Sequence, residues 1–283
     1  YDNHALEPSD SDNRLYTFQY FNHNLRERKS DFVLGSLDYG HSFENDSKLS
    51  ISLLYEYTLL GGPTVNQNLG FPDVSVLYQD EYNTNSNPLD GVRFHADYVF
   101  KPLPIGKLEV GYQYRNLNHK GNFIYERRND FNTDFDLIPD FSSQVDLERN
   151  INSVYGQLSG EKGNWRYAAG VRVEAMNREL NLEGRSNTVD TTYVYDYIKI
   201  YPSATLGYAV NEKTNLKASY SKRVERTTTF KMNPFPEREH SETLEQGDPL
   251  LRPEFIDLFE IGFDKKFKGG YALFATAYFR NTS

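Results

Sequence analysis

The chain has 283 residues, no cysteine, and 40 acidic against 31 basic residues, a formal net charge of −9. The missing cysteines exclude disulfide staples, structural zinc and thiol chemistry, and the acidic balance argues against a nucleic-acid partner. Only 38% of the residues are hydrophobic while 15% are aromatic, a balance suited to a protein with a polar interior and a thin apolar outer skin.

Taken in chain order, the sequence predicts strands almost everywhere. Arg14–Tyr20 and Asp31–Phe43 are the first candidates. In KLSISLLYEY, Leu49, Ile51, Leu53, Tyr55 and Tyr57 alternate with Ser50, Ser52 and Glu56. GVRFHADYVF sets Val92, Phe94, Ala96, Tyr98 and Phe100 against Arg93, His95 and Asp97. KLEVGYQYRN sets Leu108, Val110, Tyr112 and Tyr114 against Glu109, Gln113 and Arg115. Asn150–Gly160 follows, then NWRYAAGVRVEAMN, where Trp165, Tyr167, Ala169, Val171, Val173 and Ala175 oppose Arg166, Arg172, Glu174 and Arg178. Asp196–Val210, Asn215–Val224, Phe255–Phe267 and Tyr271–Arg280 complete the set. Such two-residue alternation is the mark of a sheet with one apolar face. Strands of about ten residues, tilted, match the thickness of a bilayer's hydrocarbon.

The connections alternate too. Short polar turns are expected at Glu44–Ser47, Lys101–Gly106, Glu161–Gly163, Asn211–Thr214 and Lys268–Gly270, and long segments at Leu60–Asp90, Glu126–Arg149, Glu179–Tyr195 and Glu225–Glu254. Outer-membrane barrels have this asymmetry of tight periplasmic turns and long outer loops. Trp165, Phe100, Tyr208, Phe267 and Tyr271 lie beside short turns, as a periplasmic aromatic girdle would. Two charges interrupt the apolar face. Lys222 is expected about 16 Å and Asp257 about 23 Å above their turns, within reach of the outer interface. Pro202 stands near the loop-side end of its strand, where a bulge could hold it.

From Asn150 onward the elements YGQLSGEKGNWRYAAGVRVEAMN, YPSATLGYAVNEKTNLKASYSKRVER, MNPF and GDPLLRPEFIDLFEIGFDKKF resemble the barrel of TonB-dependent receptors, especially the outer-membrane β-barrel family common in Bacteroidota. Gly247, Pro249, Leu251, Pro253 and Glu254 match that family's motif before a strand carrying Glu260 and Gly262; Asp248 departs from it, where Asn is usual. The resemblance implies an antiparallel transmembrane β-barrel of about twenty-two strands around a plug. About ten or eleven of these strands are legible here, so residues 1–283 are expected to be one partial barrel domain, without plug or N-terminal regions. Truncation is expected, since an unclosed edge in lipid strands backbone polar groups.

The resemblance implies an integral outer-membrane receptor for active uptake of a scarce nutrient: a siderophore, vitamin, glycan or peptide. Its implied partners are outer-membrane lipid, the TonB system acting through the plug, the small ligand itself, and a surface lipoprotein. The competing readings are a passive or adhesin-like barrel and a soluble carbohydrate-binding β-sandwich. No catalytic motif is present, and the six histidines are scattered; neither enzyme, cofactor nor metal is expected. The loop RRNDFNTDFDLIPD spaces Asn132, Asp134 and Asp136 like a calcium loop but lacks the glycine such loops need. Candidate ligand contacts are the loop aromatics Phe71, Tyr78, Tyr82, Phe131, Phe135, Phe141, Phe230 and Phe235, together with lumenal Arg115 and Arg172.

Overall fold

The computed structural model describes residues 2–8, 15–187, 189–240 and 243–283. Arg14, the start of one expected strand, lies outside them. In chain order the elements are β1 (Asp2–Pro8), β2 (Leu15–Arg26), β3 (Lys29–Ser42), β4 (Lys48–Gly70), β5 (Leu77–Val99) and β6 (Lys107–Arg128). Then come the short β7 (Asp136–Leu137), β8 (Ser143–Lys162), β9 (Trp165–Gly184), β10 (Asp190–Asn211) and β11 (Thr214–Glu225). A single helical turn α1 (Thr229–Met232), the hairpin β12 (Glu237–His240) and β13 (Thr243–Glu245), and strands β14 (Glu254–Lys266) and β15 (Ala272–Thr282) follow.

All but the small hairpin join one antiparallel sheet, in the order β1-β2-β4-β5-β6-β8-β9-β10-β11-β14-β15. β3 continues β2 along the same partner. β2 pairs β4 from Tyr20↔Gly70 to Arg26↔Thr64, and β3 resumes in the same register from Lys29↔Gly61 to Ser42↔Lys48. At the joint Glu27 N–H donates to the Pro63 carbonyl at 3.0 Å. Gly62 permits this crossing: its φ is +129°, and a Cβ there would stand 2.4 Å from the Glu27 carbonyl oxygen. Among the described residues the open edges are β1 and the continuing β3 on one side and β15 on the other, so this is part of a barrel wall.

The expected apolar face exists and has the expected height. On β9, Trp165 to Ala175 spans ten residues, about 23 Å of tilted rise, and its cross-strand partners run from Tyr208 to Ile198 on β10. Trp165 and Tyr208 rings lie 4.6 Å apart at the lower rim, with Phe43, Tyr98 and Phe100 in contact at the same rim. At the upper rim the Tyr112 and Tyr114 hydroxyls donate to Asn152 and Asn150 at 2.7 and 2.9 Å. Two tyrosine-rich rims bounding an apolar belt are what a bilayer selects.

Above this belt the structure corrects the expected loops. β4 and β5 occupy most of Leu60–Asp90, leaving only 71–76 as connection; β9 and β10 likewise leave 185–189, and β6 and β8 leave 129–142. The alternation persists there with its phase reversed. On β9, Asn177, Glu179, Asn181 and Glu183 now face outward, while Met176, Leu180 and Leu182 are buried inward. β8 does the same: Asp146, Glu148 and Asn150 turn out, Val145, Leu147 and Ile151 turn in. The physical reason is a change of solvent. Within the belt the outer face meets lipid; above it the outer face meets water, and the inner face is covered by protein.

The expected bulge at Pro202 is absent. The ladder from β10 to β11 ends at Ser203, beside the proline, which has no N–H to donate.

Candidate functional site: the lumenal wall and its strap

What covers the inner face is the connection between β11 and β14, described at 226–240 and 243–253 and here called the strap. Met232 and Phe235 enter a cluster with Val145, Leu147, Leu180 and Leu182, all of them buried. Each such side chain contributes about 1.5–3 kcal/mol when withdrawn from water. α1 is capped at its start by Thr228, whose hydroxyl accepts the Lys231 N–H, and at its end by Asn233, whose side chain accepts the Phe235 N–H. Gly247 then docks against this turn: its N–H donates to the Asn233 carbonyl at 2.6 Å, and Asp248 N–H donates to Lys231 at 3.0 Å. A Cβ at 247 would lie 2.4 Å from the Lys231 carbonyl oxygen, so only glycine allows this approach.

Both feet of the strap are bound by arginines of the inner wall. Arg149 donates to the Thr227 carbonyl at 2.8 Å. Arg178 donates to the Leu251 carbonyl at 2.9 Å and to the Thr227 hydroxyl at 3.2 Å. From the strap side, Arg226 makes a short ion pair with Glu174, which also accepts from Tyr197 at 2.7 Å and from Arg172 at 3.2 Å. Burial opposes the charge on Arg226, but Glu174 and Tyr197 outweigh it and hold its pKa above the ordinary arginine value.

The candidate contact residues fall into separate groups. Arg172 is engaged with Gln113, Ser153 and Glu174. Arg115 faces the lumen beside Arg93, its direct cross-strand partner. Phe230 is exposed on α1, whereas Phe235 is 7% exposed and belongs to the strap's core. Phe131 and Phe135 lie on the 129–142 connection, gathered by Arg128, whose guanidinium stands 5.7 and 4.5 Å from their ring centres; Phe135 also meets Tyr82 at 5.9 Å. Phe71 lies in the 71–76 connection, Phe141 meets Tyr125 at 5.8 Å, and Tyr78 and Tyr82 stand on β5 instead of a loop.

In the motif segment, Gly247 locks the strap, Leu251 supplies a carbonyl to Arg178 and Pro253 is buried. Pro249 lies in the turn just before them. Glu254 begins β14, Glu260 accepts from Ser219 at 3.2 Å, and Gly262 pairs with Lys217. Arg93, Arg149, Arg178, Arg226 and Met232 were not singled out as contacts from sequence. The phase reversal at Val145–Leu147 and Leu180–Leu182 was the readable signal.

Between the strap and the wall of β2 to β6 lies a cavity of about 580 Å³, within the range of small-molecule sites. Phe230, Leu60, Leu89 and Phe123 give it apolar walls; Arg28 and His119 give it polar ones.

Three solved structures share the fold. The siderophore receptor PiuA from Acinetobacter baumannii matches with a TM-score of 0.60 at 13% identity, over 89% of this chain and 40% of that one. The alcaligin outer-membrane receptor FauA from Bordetella pertussis matches at 0.54 and 14%, over 95% and 39%. The ferric citrate transporter FecA matches at 0.50 and 14%, over 83% and 34%. The chain therefore spans well under half the length of these proteins, and at such identities the likeness is one of fold. It agrees with the resemblance to TonB-dependent receptor barrels read from the sequence. No curated protein sequence matches the chain. Residues 41–283 match the model of the outer membrane protein beta-barrel family. With its lipid-facing belt and its strand order, the chain belongs to that family and is an integral protein of the bacterial outer membrane.

Proposed function

We propose that this barrel wall belongs to a TonB-dependent receptor that imports a scarce small nutrient, caught between the strap and the upper lumen. The observation that carries the reading is the strap itself. Six buried apolar side chains and three wall or strap arginines hold it across the inner face, where an unobstructed pore needs open water. The adjoining cavity has the size and mixed lining of a ligand site. Phe230 and the Phe131–Phe135 pair supply stacking surfaces, and Arg115 and Arg172 supply charge. A plug contributed by sequence outside these residues couples release to TonB, and a surface lipoprotein assists capture. The reading assigns no catalysis: the buried carboxylates Asp80, Glu81 and Glu174 are held by Arg128, Arg127 and Arg226 as wall ion pairs.

The test is nutrient uptake by cells bearing the full-length protein. A receptor binds its ligand without energy and imports it only while TonB and the proton gradient act. Import that persists after the gradient is collapsed, or unselective leakage of small solutes from proteoliposomes, would sink the reading in favour of a passive channel.

A further inference from the structure

Two like-charge pairs stand directly opposite each other on the inner wall. Arg149 of β8 is the register partner of Arg178 of β9, and Arg93 of β5 is the register partner of Arg115 of β6. Like charges in directly opposed positions repel, so each pair needs negative or acceptor groups from elsewhere. The upper pair has them: the strap brings the Thr227 and Leu251 carbonyls onto Arg149 and Arg178.

The second pair has no such covering. Arg115 lies in the same row as Ile151 and Met176, one inward-facing step below Arg149. Neither Arg93 nor Arg115 makes a hydrogen bond or ion pair with any described residue, and the Arg93 Nε is out of reach of water and without an acceptor. Glu56 and Glu174 are the carboxylates that act on Arg115 through space. Glu174 is already committed to Arg226, Arg172 and Tyr197. Arg226 and Arg93 both add to the positive field at Arg115. The Nε atoms of Arg149, Arg178 and Arg226 also lack an acceptor; the difference is that the terminal guanidinium nitrogens of the upper pair are bonded to the strap, whereas the lower pair is bonded to no described residue.

We infer that Arg93 and Arg115 form an oxyanion-binding station in the lumen, directly beneath the strap, for a small ligand bearing more than one carboxylate or phosphate group. Two guanidinium forks on adjacent strands match such groups bidentately, which a single lysine cannot do. A ligand held there bridges the two strands and removes their repulsion. The station rests on the receptor reading and gives its ligand a chemical class.

The experiment uses the full-length receptor in detergent, titrated calorimetrically with citrate and with inorganic phosphate, and with glucose as the uncharged control. Binding of at least one anion is expected, weakening steeply with salt, and none of glucose. Arg93→Gln and Arg115→Gln are each expected to weaken it roughly tenfold, as for a lost charged hydrogen bond. Arg115→Lys, which keeps the charge and loses the fork, should fall between. The anion should also raise the melting temperature of the wild type and not that of the double Gln variant, which guards against a merely structural effect. The relative affinities for citrate and phosphate tell carboxylate from phosphate chemistry. A wild type that binds neither anion overturns the station, including the case where a carboxylate of another segment already fills the pair. Gln variants that bind as the wild type does also overturn it. If energy-dependent nutrient uptake survives in such variants, only the station fails; anion binding with energy-independent uptake would remove the receptor reading alone.

Discussion

Lys222 of β11 and Asp257 of β14 are direct cross-strand partners on the lipid-facing side, their charged groups 3.6 Å apart, with the Tyr220 hydroxyl donating to the same carboxylate at 2.7 Å. In sequence they read as two separate interruptions of an apolar face, each reaching for the interface. In the sheet they neutralise each other. Lys222→Ala is therefore expected to destabilise the full-length barrel by about 1–2 kcal/mol, and the double variant with Asp257→Ala to regain most of that loss. Urea unfolding of the protein refolded into vesicles measures both; a double variant worse than the sum of the singles would refute mutual neutralisation.

The belt assignment has its own test at Ala169 and Arg172. Ala169 pairs with Leu158 and Ala204 on the outer face, mid-belt. Ala169→Arg should cost about 2–4 kcal/mol in vesicles. Arg172→Ala should cost less than half of that, because Glu174 keeps Arg226 as its partner. Equal costs would mean that the faces have been exchanged.

The strap is expected to come loose without unfolding the barrel. Phe235→Ala empties its place in the apolar cluster, a loss of about 3–5 kcal/mol for a large buried side chain. Gly247→Ala forces the Lys231 carbonyl away from its close approach. In both, hydrogen exchange over 226–253 should accelerate while β9 from Trp165 to Ala175 stays protected. Uniform acceleration across the sheet would contradict a separately docked strap.

Arg128 joins a buried ion pair to a loop. It holds Asp80 at 2.8 Å, donates to the Phe131 carbonyl at 3.2 Å and faces the Phe135 ring. Arg128→Ala leaves the Asp80 carboxylate buried beside no cation, a change of about 3–5 kcal/mol. Proteolysis should then begin within 129–142. A variant cleaved no faster than the wild type there would show that the loop is organised by other contacts, such as Asn132 and Thr133 on Asp130.

The belt, its rims and its short turns were legible from sequence, because each depends on period-two alternation within a single strand against a fixed solvent. Trp165 to Ala175 declares its outer face with no knowledge of its neighbours. The upper halves of β4 to β10 were not recognised, although Val145, Leu147, Leu180 and Leu182 alternate as strictly. Their phase is opposite, and the phase has meaning only once it is known which face is wet.

The site was less legible for a related reason. Arg115 and Arg172 were visible as lumenal charges, and Gly247 as part of a motif, since strand parity and local sequence carry both. That Arg93 stands opposite Arg115 depends on strand register, and that Phe235 is a core residue and that Arg149 and Arg178 clasp the strap depend on contacts between residues about fifty or more positions apart. The sequence by itself determined which face of each strand meets lipid. Only the tertiary structure decided what covers the other face, because the strap's fold-back sets which charges are satisfied and which are left waiting.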